Sequence, residues 1–177
     1  MTKQDEFEKA IQYNKIDTFK KLLNDSEVNP AIDNNWCIWA AVSENSLEVF
    51  NILFNDERID PSADNNSCIY EAVKTNNIEI LKKLLTDKRT NPSDPYALSH
   101  AAKNGFFDIA EFLLKDKRVD PSSKNNHAIR KAFQYLQHDI INLLWNDNRV
   151  KKTLKKDSLG LYNKLIKKDV KNKLKEF

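Results

Sequence analysis

Apolar residues recur along the chain in short clusters separated by polar stretches. One type of cluster places them at i, i+1, i+4 and i+5: Cys37-Ile38 with Ala41-Val42, Cys68-Ile69 with Ala72-Val73, Ala97-Leu98 with Ala101-Ala102, and Ala128-Ile129 with Ala132-Phe133. That spacing puts them on one stripe of a helix. A second type follows each of these: Phe50-Leu53-Phe54, Leu81-Leu84-Leu85, Ala110-Leu113-Leu114 and Ile141-Leu144-Trp145, with Phe19-Leu22-Leu23 preceding the whole series. Between the two helices of each pair stand Asn14, Asn45, Asn76 and Gly105, residue types that tolerate a left-handed backbone. Leu136 holds that place in the last pair, so the turn there is expected to be strained or differently shaped.

The pairs repeat with a fixed period. Pro30, Pro61, Pro92 and Pro121 are separated by 31, 31 and 29 residues, and two acidic columns keep the same phase. The first is Asp17, Glu48, Glu79, Asp108 and Asp139; the second is Asp25, Asp56, Asp87, Asp116 and Asp147. Five units follow, at about 1–29, 30–60, 61–91, 92–120 and 121–150, and the fourth has lost two loop residues. Helices this short are marginal alone, and each leaves a face that only a neighbouring unit can cover. The sequence therefore predicts an all-α solenoid of five helix-turn-helix units over residues 1–150, closed by a lysine-rich amphipathic helix over 151–177.

The unit resembles the ankyrin repeat, whose first helix carries Thr-Pro-Leu-His-x-Ala. Here the motif reads Ser67-Cys68-Ile69-Tyr70-Glu71-Ala72 or His127-Ala128-Ile129-Arg130-Lys131-Ala132, keeping the aliphatic and alanine positions while replacing Thr and Pro. Asn104-Gly105 and the Phe-Phe-Asp-Ile-Ala-Glu-Phe-Leu-Leu run after it match the family's second half. The resemblance covers residues 4 to 150, and the 31-residue Asp-Pro-Ser-x-x-Asn-Asn form is similar to arrays encoded by giant DNA viruses of amoebae. It implies a hairpin with Asn34-Asn35, Asn65-Asn66 and Asn125-Asn126 at its tips. It also implies a non-enzymatic protein-binding module or adaptor, intracellular (in host cytoplasm if viral), whose concave face takes a protein partner. Carried over by position, that face includes Trp36 in the second unit and Asn66, Glu71 and Lys74 in the third. The fourth adds Tyr96 and Lys103, and the fifth Lys131 and Tyr135. Trp36, Tyr96 and Tyr135 draw attention as exposed aromatic anchors, against the alternative that they pad the grooves between units.

Composition narrows the remaining choices. Two glycines and five prolines do not serve a Gly-rich nucleotide loop or a turn-dense β-sandwich. No apolar run approaches the length of a membrane span, and the polar start MTKQDEFEKA is unlike a secretory signal. Cys37 and Cys68 are expected as small buried thiols rather than a disulfide framework. His100, His127 and His138 lack companions at metal-ligand spacing, and His138 is expected to be partly buried. No nucleophile, base and orienting group assemble from any motif, so neither catalysis nor a cofactor is expected. The first acidic column falls where helix starts favour carboxylates. Arg58, Arg89, Arg118 and Arg149 follow the second by two residues, either tying loops or clamping an acidic partner.

Charge is uneven. The chain totals +3, yet residues 151–177 carry ten lysines against three acids. In that tail Leu159, Tyr162, Leu165, Ile166, Val170, Leu174 and Phe177 keep helical spacing, as a cap over the fifth unit would require. The alternative is a basic helix that binds nucleic acid or an anionic surface, although no zinc, homeodomain or RNA-binding motif accompanies it. A monomer with a protein partner is the expectation.

Overall fold

The computed structural model describes residues 1–173, with side chains through residue 167; Leu174, Phe177 and the side chain of Val170 lie outside the described residues. Among these residues there are twelve helices and no strand. Five pairs run in order: α1 (Lys3–Gln12) with α2 (Ile16–Leu23), α3 (Ile32–Ser43) with α4 (Leu47–Phe54), and α5 (Ala63–Lys74) with α6 (Ile78–Leu84). Then come α7 (Pro95–Asn104) with α8 (Phe107–Lys115) and α9 (Ser123–Gln134) with α10 (His138–Trp145). The chain divides into two compact units, Met1–Pro92 with the first three pairs and Ser93–Phe177 with the rest. In the first, α1 packs on α3 and α3 on α5, while α2 packs on α4. In the second, α7 lies along α9 and α8 along α10.

Each pair is joined by the same turn, which closes on the backbone carbonyl of the alanine column. The residue after the turn donates its N–H five residues back, as in Lys15 to Ala10 (2.8 Å), Ser46 to Ala41 (2.9 Å), Asn77 to Ala72 (2.9 Å), Phe106 to Ala101 (3.0 Å) and Gln137 to Ala132 (2.9 Å). This Schellman closure satisfies orphan carbonyls at the helix end and needs a left-handed residue at its corner. Asn14, Asn45, Asn76 and Gly105 supply it, with φ of 50°, 55°, 54° and 77°. A Cβ on Gly105 would also lie 2.6 Å from the Gln137 Oε1. Leu136 takes φ 57° in the fifth turn and is 68% exposed, so a branched side chain is held in a disfavoured conformation with little packing in return. A left-handed L-residue costs roughly 1–2 kcal/mol, much less for Asn. Leu136→Asn is therefore expected to stabilise the protein by about 1 kcal/mol, read as a rise in urea midpoint; an unchanged or lower midpoint would show the turn to be unstrained.

The hairpin expected before each first helix is absent. Its Asn-Asn residues instead form a left-handed turn of three consecutive residues: Asp33-Asn34-Asn35, Asp64-Asn65-Asn66 and Lys124-Asn125-Asn126, all with φ between 49° and 63°. The physical reason lies in the third residue, which turns inward as a clamp. Asn35 Oδ1 accepts the Asp60 N–H at 2.8 Å, and Asn66 Oδ1 accepts the Asn91 N–H at 2.7 Å. Asn126 is fully buried, and its Oδ1 accepts the Thr153 hydroxyl at 2.9 Å. In the fourth repeat, two residues shorter, the triplet is replaced by Asp94, which caps α7 by accepting the Tyr96 N–H (2.9 Å), and by Pro95 at its first turn.

Beyond the fifth pair, the tail is two helices rather than one. α11 (Asn148–Asp157) begins inside the fifth repeat, capped by Asp147, and the chain breaks at Ser158 before α12 (Leu159–Lys173). Val150, Leu154 and Leu165 are buried, and the Tyr162 ring lies 5.5 Å from that of Trp145. These contacts cover the end of the fifth pair. Leu159 and Ile166 stay exposed.

Candidate functional site

The loops after the second helices are built around the second acidic column. Arg58, Arg89, Arg118 and Arg149 pair with Asp56, Asp87, Asp116 and Asp147 at 2.6–2.8 Å. Arg89 and Arg149 also donate to a carbonyl of the preceding loop, of Ile59 (3.4 Å) and Val119 (3.1 Å), and Arg58 to the Leu23 carbonyl at the end of α2 (3.1 Å). The guanidinium beside each aspartate holds its carboxyl below the usual value of 3.8. A native pKa lower than the unfolded one means that each pair's contribution is complete above about pH 4 and lost as pH falls through the native value. Being half exposed, each is worth about 0–1 kcal/mol. Carboxyl NMR titration should give four midpoints below 3.8; an ordinary midpoint at any of them would remove that pair from the account.

The first acidic column stands in the first turn of α2, α4, α6, α8 and α10, where the helix dipole favours it. Its side chains do not make the cap bond; Asn77 does so for α6. Cys37 and Cys68 are buried free thiols, pushed up to about 12 by that burial. Neither should react with an aromatic disulfide reagent at pH 8 in the native protein, and both should react in denaturant. Fast native reaction of either would mean that its site opens. Among the described residues no three His, Cys, Asp or Glu side chains converge as metal ligands, and no helix is long and apolar enough to cross a membrane.

The structure separates the eight residues carried over as partner contacts. In the Met1–Pro92 unit Trp36 is half-buried, and Asn66 is the interior clamp rather than a tip. Glu71 is only 4% exposed, a correction to its expected surface position, and its carboxylate takes the Lys74 ammonium at 2.9 Å. That pair is spoken for internally. In the Ser93–Phe177 unit the other four form a continuous surface on α7 and α9. Tyr96 is 52% exposed and meets the His127 ring edge-on at 6.0 Å. Tyr135 is 43% exposed, with Lys103 Nζ 5.2 Å and Lys131 Nζ 6.0 Å from its ring centre. Burial lowers the pKa of His127, and Lys131 and Arg130 add to the effect. His138, expected partly buried, is exposed because it opens α10 on the outer side.

Two outer grooves were not anticipated. A pocket of about 570 Å³ is lined by Lys20, Leu47, Glu48, Asn51, Ile52 and Asn55, with Lys20 and Glu48 paired at 2.8 Å. A second, of about 340 Å³, is lined by Phe107, Asp139, Asn142, Leu143 and Asn146. Glu48, Asn51, Ile52 and Asn55 recur there one for one as Asp139, Asn142, Leu143 and Asn146; that asparagine recurrence was the available signal.

Comparison with known proteins agrees with the repeat geometry. No curated protein matches the chain. The family model for ankyrin repeats in three copies matches residues 7–94 and again 69–156. With that coverage and its paired helices, the chain belongs to the ankyrin repeat family.

Proposed function

We propose that the protein is a non-enzymatic binding module or adaptor, engaging a protein partner through the exposed faces of its first helices. Ankyrin repeats are generally protein–protein interaction modules, which supports the class. The observation that carries the reading for this chain is the surface on α7 and α9, where Tyr96 stands half exposed against His127 and Tyr135 half exposed beside Lys103 and Lys131. Aromatic side chains with one apolar face free and few rotamers to lose are the usual anchors of interfaces.

The lysine-rich tail offers a second reading, binding of nucleic acid or an anionic surface. Lys155, Lys156 and Lys167 are exposed along it, while Tyr162 and Leu165 are occupied in covering α10 and α11. Deleting the tail would remove those contacts, so the discriminating variants are substitutions. Affinity capture from cell lysate should run with the native chain, Tyr96→Ala/Tyr135→Ala, and Lys155→Gln/Lys156→Gln/Lys167→Gln. A protein retained by the first and third and lost by the second supports the module. Capture of nucleic acid that disappears only with the tail substitutions overturns it.

A further inference from the structure

We infer that the α7–α9 face selects an acidic protein segment, one that places carboxylates on Lys103 and Lys131 and an apolar side chain against Tyr96 or Tyr135. The inference rests on the proposed protein-binding role and adds the chemistry of the partner.

Charge sets the argument. No carboxylate occurs between Pro95 and Phe107, or between Pro121 and His138, so neither α7 nor α9 carries an acid. The same stretches carry Lys103, Lys124, Arg130 and Lys131. Lys103 and Lys131 are half-buried, and both ammonium groups are drawn over one ring, that of Tyr135. Lys131 also reaches the Gln134 Oε1 at 3.4 Å, a neutral acceptor. Neither lysine has a carboxylate within ion-pair distance among the described residues. Lys3, Lys20, Lys74 and Lys115, by contrast, do have one.

Two like charges converging on one ring repel each other, while the ring face attracts each of them. An incoming carboxylate relieves the repulsion and meets cations already partly stripped of water, which strengthens the pairing. The geometry also limits the ligand. Seven residues of helix separate Tyr96 from Lys103, about 10 Å at 1.5 Å per residue. An extended segment of about three residues spans that distance, enough for an acidic pair and one aromatic or aliphatic neighbour. The cations number four. Strong salt-dependent nucleic-acid binding engages more, about 6–10 phosphates.

The test is selection of a phage-displayed library of random 12-residue peptides on the full chain, repeated on Lys103→Gln/Lys131→Gln and on Lys115→Gln, an exposed lysine of α8. The best peptide is then measured by fluorescence anisotropy at 150 mM salt, beside a 20-nucleotide single-stranded DNA. Circular dichroism and melting temperature confirm that each variant is folded. We expect enrichment of Asp and Glu beside an aromatic residue, with affinity at least tenfold weaker for Lys103→Gln/Lys131→Gln and unchanged for Lys115→Gln. Selection of neutral or basic peptides, or equal affinity for all three proteins, overturns the acidic preference and leaves the binding-module reading standing. Failure to select any peptide, with DNA bound and lost in the double variant, overturns both.

Discussion

Phe50→Ala is expected to lower the stability of the Met1–Pro92 unit by about 3–5 kcal/mol, the range for emptying a fully buried aromatic site. Phe50 has no exposed surface, and its ring lies 5.5 Å from that of Phe54. α4 has eight residues and leans on both α3 and α2, so it has little stability that does not come from packing. α4 is held at one end by the Schellman turn at Asn45 and followed at the other by the Asp56–Arg58 loop. Ile52→Ala in the same helix provides the control. Ile52 is half-buried on the outer groove, and its loss should cost about 1 kcal/mol or less, the scale of partly exposed sites. Urea unfolding followed by circular dichroism compares the two. Equal shifts would mean that the second-helix column is not interior.

Asn126→Ala is expected to cost about 2–3 kcal/mol in the Ser93–Phe177 unit, from two separable sources. Its Oδ1 accepts the Thr153 hydroxyl, tying the fifth repeat's entrance to α11, and its backbone sits at φ 57°. Alanine loses the bond and strains the turn. Asn126→Gly loses the bond but accepts the turn, and Thr153→Val keeps the turn but removes the donor. Those two should each cost roughly 1 kcal/mol, the net value of one hydrogen bond, and the gap to alanine measures the backbone part. If glycine proves as damaging as alanine, the left-handed triplet is not strained and the clamp alone explains the asparagine.

The repeat and its helices were legible because their signals are local. The alanine column, the stripes at i, i+1, i+4 and i+5, and the Asn-or-Gly corner each report on residues adjacent in one turn, and the Leu136 departure was visible for the same reason. The left-handed triplets were not. A pair of asparagines suits a hairpin tip and a left-handed turn equally, and what decides between them is a backbone N–H donor 25 residues away, that of Asp60 for Asn35 and that of Asn91 for Asn66. Glu71 was misplaced for a related reason. Its position in the first-helix motif says outward, but its burial beside Lys74 comes from packing that no local pattern records. The break at Ser158 was hidden because lysine and leucine continue on both sides of it. Of the candidate surface, sequence supplied the members. The convergence of Lys103 and Lys131 on Tyr135 required α7 and α9 to lie side by side.

The loop arginines and corner asparagines have a genetic consequence. Arg89 grips Ile59 and Asn77 grips Asn45, while Arg58 and Ser46 hold the equivalent positions one repeat earlier. A gene that duplicated residues 30–60 by unequal crossing-over would place the second copy's Arg58 against the first copy's Ile59, and its Ser46 against the first copy's Asn45. Every new junction would meet a handhold of a kind already in use, wherever in the period the crossover fell. Lineages can therefore lengthen or shorten this chain by whole periods without inventing an interface. The fourth repeat is the exception: its Asp94-Pro95 entrance lacks the triplet, so copies of it would carry a 29-residue step into the ladder.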